Sequence, residues 1–368
     1  MIHGHGGNIY AAASALGCRL EEITDMSANI NPLGPMPGLL AHLAESIGNV
    51  CRLPEVDAAS AVHAYADWQD LPAEQVIAGG GTTEFLYLLP RALRLESALV
   101  VGPAYADYAD ALKINRVDPE FFMCTPEHGF RPDPDRLAAA ARNADAVYFC
   151  NPNNPTGRLT APGDLAALAG ALPQTLFVVD ESYLPFAAGP KKHTLARFDL
   201  PNTVVLHSLS KMHCIPGLRV GFCVAPAPLA QKIRQDCQPW SVSTPAQTAI
   251  SYIAQNRETA GAHARKTRQS LDARRRDLYA SLADTPGLDL YPSHATFVLM
   301  RAAFFTAPEI AARMLSRRIL IRDCSNFRGL DEHYFRISLK DPDSNARAAQ
   351  VIAEYARHRA AGRKPGKK

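Results

Sequence analysis

Several segments of this chain hold side chains whose types and spacing suit one kind of chemistry. Lys211 sits in His207-Ser208-Leu209-Ser210-Lys211, with Arg219 a short loop further on. Upstream lie Asp180-Glu181-Ser182-Tyr183 and Asn151-Pro152-Asn153-Asn154-Pro155-Thr156-Gly157. A glycine run, Gly79-Gly80-Gly81-Thr82-Thr83-Glu84, comes before both. Together these supply what a pyridoxal 5′-phosphate (PLP) site needs. A neutral lysine amine bonds the cofactor aldehyde and later moves a proton at Cα. A carboxylate faces the ring nitrogen and keeps the ring an electron sink, and hydroxyls with an arginine hold the phosphate.

Each segment has a plainer reading by itself. Lys211 alone reads as a surface lysine, Asp180 as a helix cap, the Asn/Pro/Gly cluster as a turn and the glycine run as a loop. Their order and spacing argue for the site. Asp180 closes an apolar run, where a carboxylate can meet a pyridine nitrogen. Tyr183 and Asn154 are candidates to hydrogen-bond the phenolic oxygen of the ring. Gly81, Thr82 and Thr83 open a helix after a strand, a geometry that favours an anion. Ser208, Ser210 and Arg219 complete the phosphate set. Tyr105, in Gly102-Pro103-Ala104-Tyr105, is a candidate to stack on the ring, with an ordinary core aromatic as the alternative. Arg336 lies in the apolar run Tyr334-Phe335-Arg336-Ile337-Ser338, where an arginine is destabilising unless it meets an anion, such as a substrate carboxylate. Arg322 follows Ile319-Leu320-Ile321 and is a candidate for a second anion, with a surface ion pair as the alternative.

Short apolar runs must position these residues. Val76–Ala78, Ala98–Val101, Ala146–Cys150, Leu176–Val179 and Thr203–Leu206 read as buried strands. Asp135–Arg142 and Pro162–Leu172 read as helices between them. The alternation predicts an α/β fold: a large domain with a mostly parallel sheet flanked by helices. The motif residues fall just after strand ends, where such sheets bind ligands. From Pro245 to about Ala283 the chain reads as one long helix. Candidate strands at Thr296–Met300, Ile319–Ile321 and Tyr334–Leu339, with a helix near Pro308–Ser316, predict a smaller α+β domain. The expected division is an N-terminal segment, 1–45, that joins the small domain and covers the site; a large PLP-binding domain, 46–245; a linking helix, 246–285; a small domain, 286–357; and a basic, solvated tail, 358–368.

These motifs resemble the class I/II aminotransferase superfamily, the fold-type I PLP enzymes, over nearly the whole chain. Within it, His3-Gly4-His5-Gly6-Gly7-Asn8 and Ser27-Ala28-Asn29-Ile30-Asn31-Pro32-Leu33-Gly34 are similar to the threonine-phosphate decarboxylases of cobalamin synthesis, relatives of the histidinol-phosphate aminotransferases. Ile321-Arg322-Asp323-Cys324-Ser325-Asn326-Phe327-Arg328-Gly329-Leu330 and Tyr334-Phe335-Arg336 share that similarity. The resemblance implies a PLP-dependent carboxy-lyase acting on a small phosphorylated amino acid, with an aminotransferase as the alternative and a catalytically silent PLP-fold binding protein as a third reading. It implies Lys211 as the lysine that bonds PLP, with Asp180 and Tyr105 also at the reacting centre. Gly81, Thr82, Thr83, Asn154, Tyr183, Ser208, Ser210 and Arg219 would hold the cofactor. Arg336 and Asn154 would face the substrate carboxylate side, and His5, Gly6, Asn31 and Arg322 its phosphate. Relatives carry Arg-Tyr-Pro where this chain has Arg52-Leu53-Pro54, and that tyrosine reaches the partner subunit's cofactor. Leu53 has no hydroxyl, so the homodimer implied by the resemblance would lack that contact.

Composition excludes other classes. The chain has 368 residues and 47% hydrophobic content, within the range of soluble globular proteins. A formal charge of +3 is too small to suggest nucleic acid as a partner. No apolar run is long enough to cross a bilayer, so no membrane partner is expected. The start lacks a basic region followed by an apolar stretch, and the eight cysteines are scattered with no Cys-x-x-Cys pair. A reduced, cytoplasmic enzyme without a metal is the expectation.

Overall fold

The computed structural model describes residues 6–362. Its main sheet has seven strands: Val76–Gly79, Ala98–Gly102, Pro119–Met123, Ala146–Cys150, Leu176–Asp180, Thr203–Ser208 and Gly221–Val224. Their spatial order, by first residue, is Val76, Gly221, Thr203, Leu176, Ala146, Ala98, Pro119. All neighbours pair in parallel except around Gly221–Val224, which runs antiparallel to both of its partners. This is the fold type I architecture expected from the alternating pattern.

The strands are buried on both faces, which is why they read as continuous apolar runs. Odd-numbered side chains such as Leu99, Val147, Phe177, Val179 and Val205 enter one core, and even-numbered ones such as Val100, Tyr148, Val178, Val204 and Leu206 enter another. The helices Thr82–Ala92 and Ala106–Ile114 cover the second face through Phe85, Leu89, Tyr108 and Leu112.

A second sheet of four antiparallel strands, in the order Arg322–Asp323, Tyr334–Ser338, Phe297–Ala302, Leu288–Leu290, packs against the helices Ala307–Leu315 and Pro342–Ala361. The N-terminal stretch is stitched to this sheet. Beside it, Thr24–Asp25 pairs in parallel with Ile319–Leu320 as a separate two-stranded sheet. The Ser338 N–H donates to the Met26 carbonyl at 2.7 Å, and the Ser338 hydroxyl to Asn29 Oδ1 at 2.7 Å.

Two expectations need correction. The long helix is two helices, Thr244–Gln255 and Arg257–Leu282. The break is at Asn256, which leaves the helical conformation at φ -101, ψ 40; its side-chain amide donates to the Tyr252 carbonyl at 2.8 Å alongside its own N–H at 3.0 Å. The final helix runs to Ala361, into the stretch read as a solvated tail. Among the described residues no helix is long and apolar enough to cross a membrane.

Candidate active site

The motif segments converge at the carboxyl ends of the parallel strands, as an open α/β sheet requires of a ligand site. A cleft of about 620 Å³ opens there, lined among others by Gly6, Asn29, Thr82, Thr83, Tyr105, Asn154, Asp180, Tyr183, Lys211, Arg322 and Arg336.

Asp180 is the last residue of its strand and is 7% exposed. The Ser182 N–H donates to its Oδ1 and the Tyr108 hydroxyl to its Oδ2, both at 2.9 Å. Tyr183, in the turn after the strand, is buried. Its hydroxyl accepts from Asn29 Nδ2 at 3.0 Å, and burial pushes its phenol up to about 12. Lys211 follows the neighbouring strand. Burial lowers its ammonium below the ordinary lysine value, the positive Arg219 adds to this, and Asp180 opposes it. A lysine held toward its neutral form is suited to attack an aldehyde.

The Asn/Pro/Gly loop divides its asparagines between structure and site. Asn151 is braced against Thr160 in both directions, by side-chain donation at 3.0 Å and acceptance at 2.8 Å. Asn153 donates to the Pro103 carbonyl and to the Thr156 hydroxyl, each at 2.9 Å. Asn154 alone turns to the cleft, where its Oδ1 accepts from Arg336. Gly157 has φ +71, and a side chain there would collide with Ser293 of the second sheet's leading loop.

The second sheet contributes two arginines. Arg322 and Arg336 stand directly opposite each other on adjacent antiparallel strands. Arg336 is 4% exposed, donates to the Ser27 carbonyl at 3.0 Å as well as to Asn154, and lies 4.8 Å from the Phe297 ring centroid. Its Nε is buried without a hydrogen-bond partner among the described residues. Arg322 donates to Asn326 at 2.8 Å and lies 5.0 Å from the Phe327 ring. Burial draws both guanidinium groups below the ordinary arginine value, and the positive Arg336 adds to the lowering at Arg322. Like charges in this register are unfavourable unless anions meet them.

Gly6 lies against Arg322, where a side chain would come within 3.0 Å of the arginine's Cδ. The Gly7 N–H donates to the Ser27 hydroxyl at 2.8 Å, and that hydroxyl donates to Asp25 at 2.7 Å, so the N-terminal stretch is pinned at the mouth. His5 lies outside the described residues.

Some sequence-chosen residues sit elsewhere. Asn31 is 2% exposed and does not line the cleft. Its amide donates to the Met212 carbonyl at 2.8 Å and to Thr267 at 2.9 Å, while its Oδ1 accepts the Leu33 N–H. This is a correction: those bonds consume the side chain, and Asn29, two residues earlier, is the asparagine that faces the site. Gly81, Ser208, Ser210 and Arg219 also lie behind the lining. The Ser210 hydroxyl donates to the Val220 carbonyl at 3.2 Å. Ser208 is buried and borders a separate cavity with Tyr65 and Trp68. The Gly80 N–H is taken by Glu84 and that of Gly81 by the Gly79 carbonyl, so those two donors do not point outward. The Arg219 guanidinium covers Gly81, where a Cβ would sit 2.7 Å from it. Thr82 Oγ1 lies 3.5 Å from Ser182 Oγ.

The residues present fit PLP. A lysine held toward neutrality, an ordered buried carboxylate, and an arginine closing on a bare glycine at a helix start match its aldehyde, ring nitrogen and phosphate. Sequence reasoning missed Asn29, Ser182 and Tyr108. The spacing of Tyr105 and Tyr108, one helical turn apart, was the available signal for the last.

The family model of the class I and II aminotransferases matches residues 21–352. The threonine-phosphate decarboxylase of Salmonella typhimurium is 32% identical over 351 residues, 95% of each chain. The histidinol-phosphate aminotransferase of Symbiobacterium thermophilum is 31% identical over 338 residues, 90% of each chain. Among solved structures, the L-threonine-O-3-phosphate decarboxylase of Porphyromonas gingivalis superposes with a TM-score of 0.80 at 28% identity, covering 93% of this chain and all of that one.

Proposed function

Since this chain belongs to the class I and II aminotransferase family and uses PLP, we propose that it decarboxylates L-threonine O-3-phosphate to (R)-1-aminopropan-2-yl phosphate, a step of cobalamin synthesis. The observation that carries this reading is the pair of arginines in register across the second sheet. One small substrate with a carboxylate and a phosphate gives each of them an anion. Arg336, whose Nε has no partner among the described residues, takes the carboxylate, and Arg322 takes the phosphate.

Bound PLP supplies the electron sink for the pair left at Cα when a bond there breaks. The chain's own residues do the rest. Asp180 would hold the ring-nitrogen proton, and Tyr183 with Asn154 would hold the phenolic oxygen. Thr82 and Thr83 would hold the phosphate by their hydroxyls, and Arg219 beside Gly81 would neutralise its charge. The Lys211 amine would take the proton that the substrate ammonium gives up on binding and return it to Cα. Two anchored ends leave the substrate one orientation, and that orientation selects which Cα bond is broken. The decarboxylase relatives, one 32% identical over 95% of the chain, support this reading.

The second reading, a histidinol-phosphate aminotransferase, draws on the relative at 31% identity. Histidinol phosphate has no carboxylate, but an amino-group donor such as glutamate would offer one to Arg336. The discriminating experiment supplies O-phosphothreonine or O-phosphoserine, with and without 2-oxoglutarate, and follows carbon dioxide and glutamate. Carbon dioxide release without any oxo acid is expected, and the more productive phosphoamino acid identifies the substrate. Glutamate formation with no carbon dioxide would hand the assignment to the second reading.

The working unit is a cytoplasmic homodimer in this reading. Leu40, Ile47, Val50, Leu53, Val56 and Trp240 are exposed apolar residues, Leu53 at 78%, and the Trp240 N–H bonds the Val56 carbonyl, which gathers part of the set in one place. A monomer by light scattering at micromolar concentration would remove this part.

A further inference from the structure

Tyr108 is a fully buried phenol, 1% exposed, in the helix Ala106–Ile114. Burying a hydroxyl costs free energy that a hydrogen bond offsets. Its partner is the Asp180 carboxylate, at 2.9 Å. The other carboxylate oxygen is fixed by the Ser182 N–H. Asp180 therefore cannot rotate without breaking one of two bonds. Tyr108 also meets Tyr105, the ring-stacking candidate, edge to face at 6.0 Å and 88°. One side chain thus braces both groups expected to touch the cofactor ring.

We infer that Tyr108 is a positioning residue that fixes Asp180 against the ring nitrogen and so keeps that nitrogen protonated. Asp180 ends its strand on the even-numbered face, the face this helix covers, so the bond follows from the packing of helix on sheet. The inference rests on the cofactor assignment, not on the choice of decarboxylation.

The ionisable groups around Asp180 come from each element packed on it: Tyr105 and Tyr108 from the helix side, Cys150 from the adjacent strand, Tyr183 from the turn and Lys211 from the loop. A positive ring nitrogen makes the conjugated Lys211 nitrogen a weaker base. Loosening Asp180 therefore raises the pH midpoint of the bound cofactor's visible absorbance.

Tyr108→Phe keeps the ring packing and removes only the donor. Its absorbance midpoint should move upward, in the direction of Asp180→Asn but by less. Its kcat should fall by about tenfold, the loss of one hydrogen bond to a charged group, with KM within about twofold. Tyr148→Phe is the control: Tyr148 lies 6.1 Å from Tyr108 in the same cluster, and its buried hydroxyl has no partner among the described residues. That variant should leave both the midpoint and kcat in place. A Tyr108→Phe enzyme with an unmoved or lowered midpoint overturns the inference, whatever its melting temperature. So does an equal shift in Tyr148→Phe. The absorbance titration uses no substrate, so its outcome is independent of which reaction the enzyme performs.

Discussion

Replacing Arg322 by Gln tests the two-anion site most directly. The guanidinium lines the cleft opposite Arg336, bonds Asn326 and stacks near Phe327. At about 4 Å from a phosphate oxygen, with an effective dielectric of about 20, one charge pair contributes about 4 kcal/mol. Arg322 is only partly buried, so solvent screens some of this, and about 2–4 kcal/mol is the expected loss. That is a fall of about 30- to 1000-fold in kcat/KM for O-phosphothreonine. Removing the contact with Phe327 costs the fold only about 0.5–1 kcal/mol, so the melting temperature should move little. The assay compares O-phosphothreonine with threonine in wild type and variant. Threonine has no phosphate to lose, so its slow turnover should change by less than about threefold. Inorganic phosphate should inhibit the wild type competitively and the variant far more weakly. Equal proportional losses on the two substrates would refute the reasoning, because Arg322 would then act on something other than the phosphate.

Two further predictions follow from the buried groups. Lys211→Ala should abolish turnover and the covalent retention of cofactor after borohydride treatment, read by mass spectrometry of the intact chain; retained cofactor mass would place the bond on another amine. His213 is buried, and burial with the neighbouring His263 pushes it down to about 3. The unfolded chain takes up this proton below about 6.5, while the folded chain stays neutral until about 3. Stability should therefore fall as pH drops through that window, by up to about 1.4 kcal/mol per pH unit. His213→Phe should flatten the urea midpoint over pH 6.5 to 4, and parallel curves for the two proteins would refute the assignment.

Much of the sheet was legible because its strands are buried on both faces and so read as apolar runs. Two strands were not. Pro119–Met123 is an edge strand whose residues stay partly exposed, and Gly221–Val224 is short and antiparallel within a parallel pattern. The break at Asn256 was hidden because its neighbours form helix on both sides and only one residue leaves the helical conformation. In the site, Lys211, Asp180, Tyr183 and Asn154 were readable because each adjoins a strand end that local sequence marks.

The sequence by itself determined the chemical kit: an amine, a carboxylate, phenols, hydroxyls and two guanidinium groups in an order that suits PLP. Those properties belong to residue types and to their distance from local strand ends. Tertiary structure decided which copies are used. Asn29 and Asn31 are equivalent in sequence, yet one meets Tyr183 and the other is consumed by Met212 and Thr267. Tyr108 gains its role only when its helix covers the even-numbered face that holds Asp180. Arg322 and Arg336 become a pair only through the register of two strands joined by an irregular loop. Strand register is set by which face is buried and by the geometry of the connecting turn, and the irregular loop here carries no turn type that predicts it.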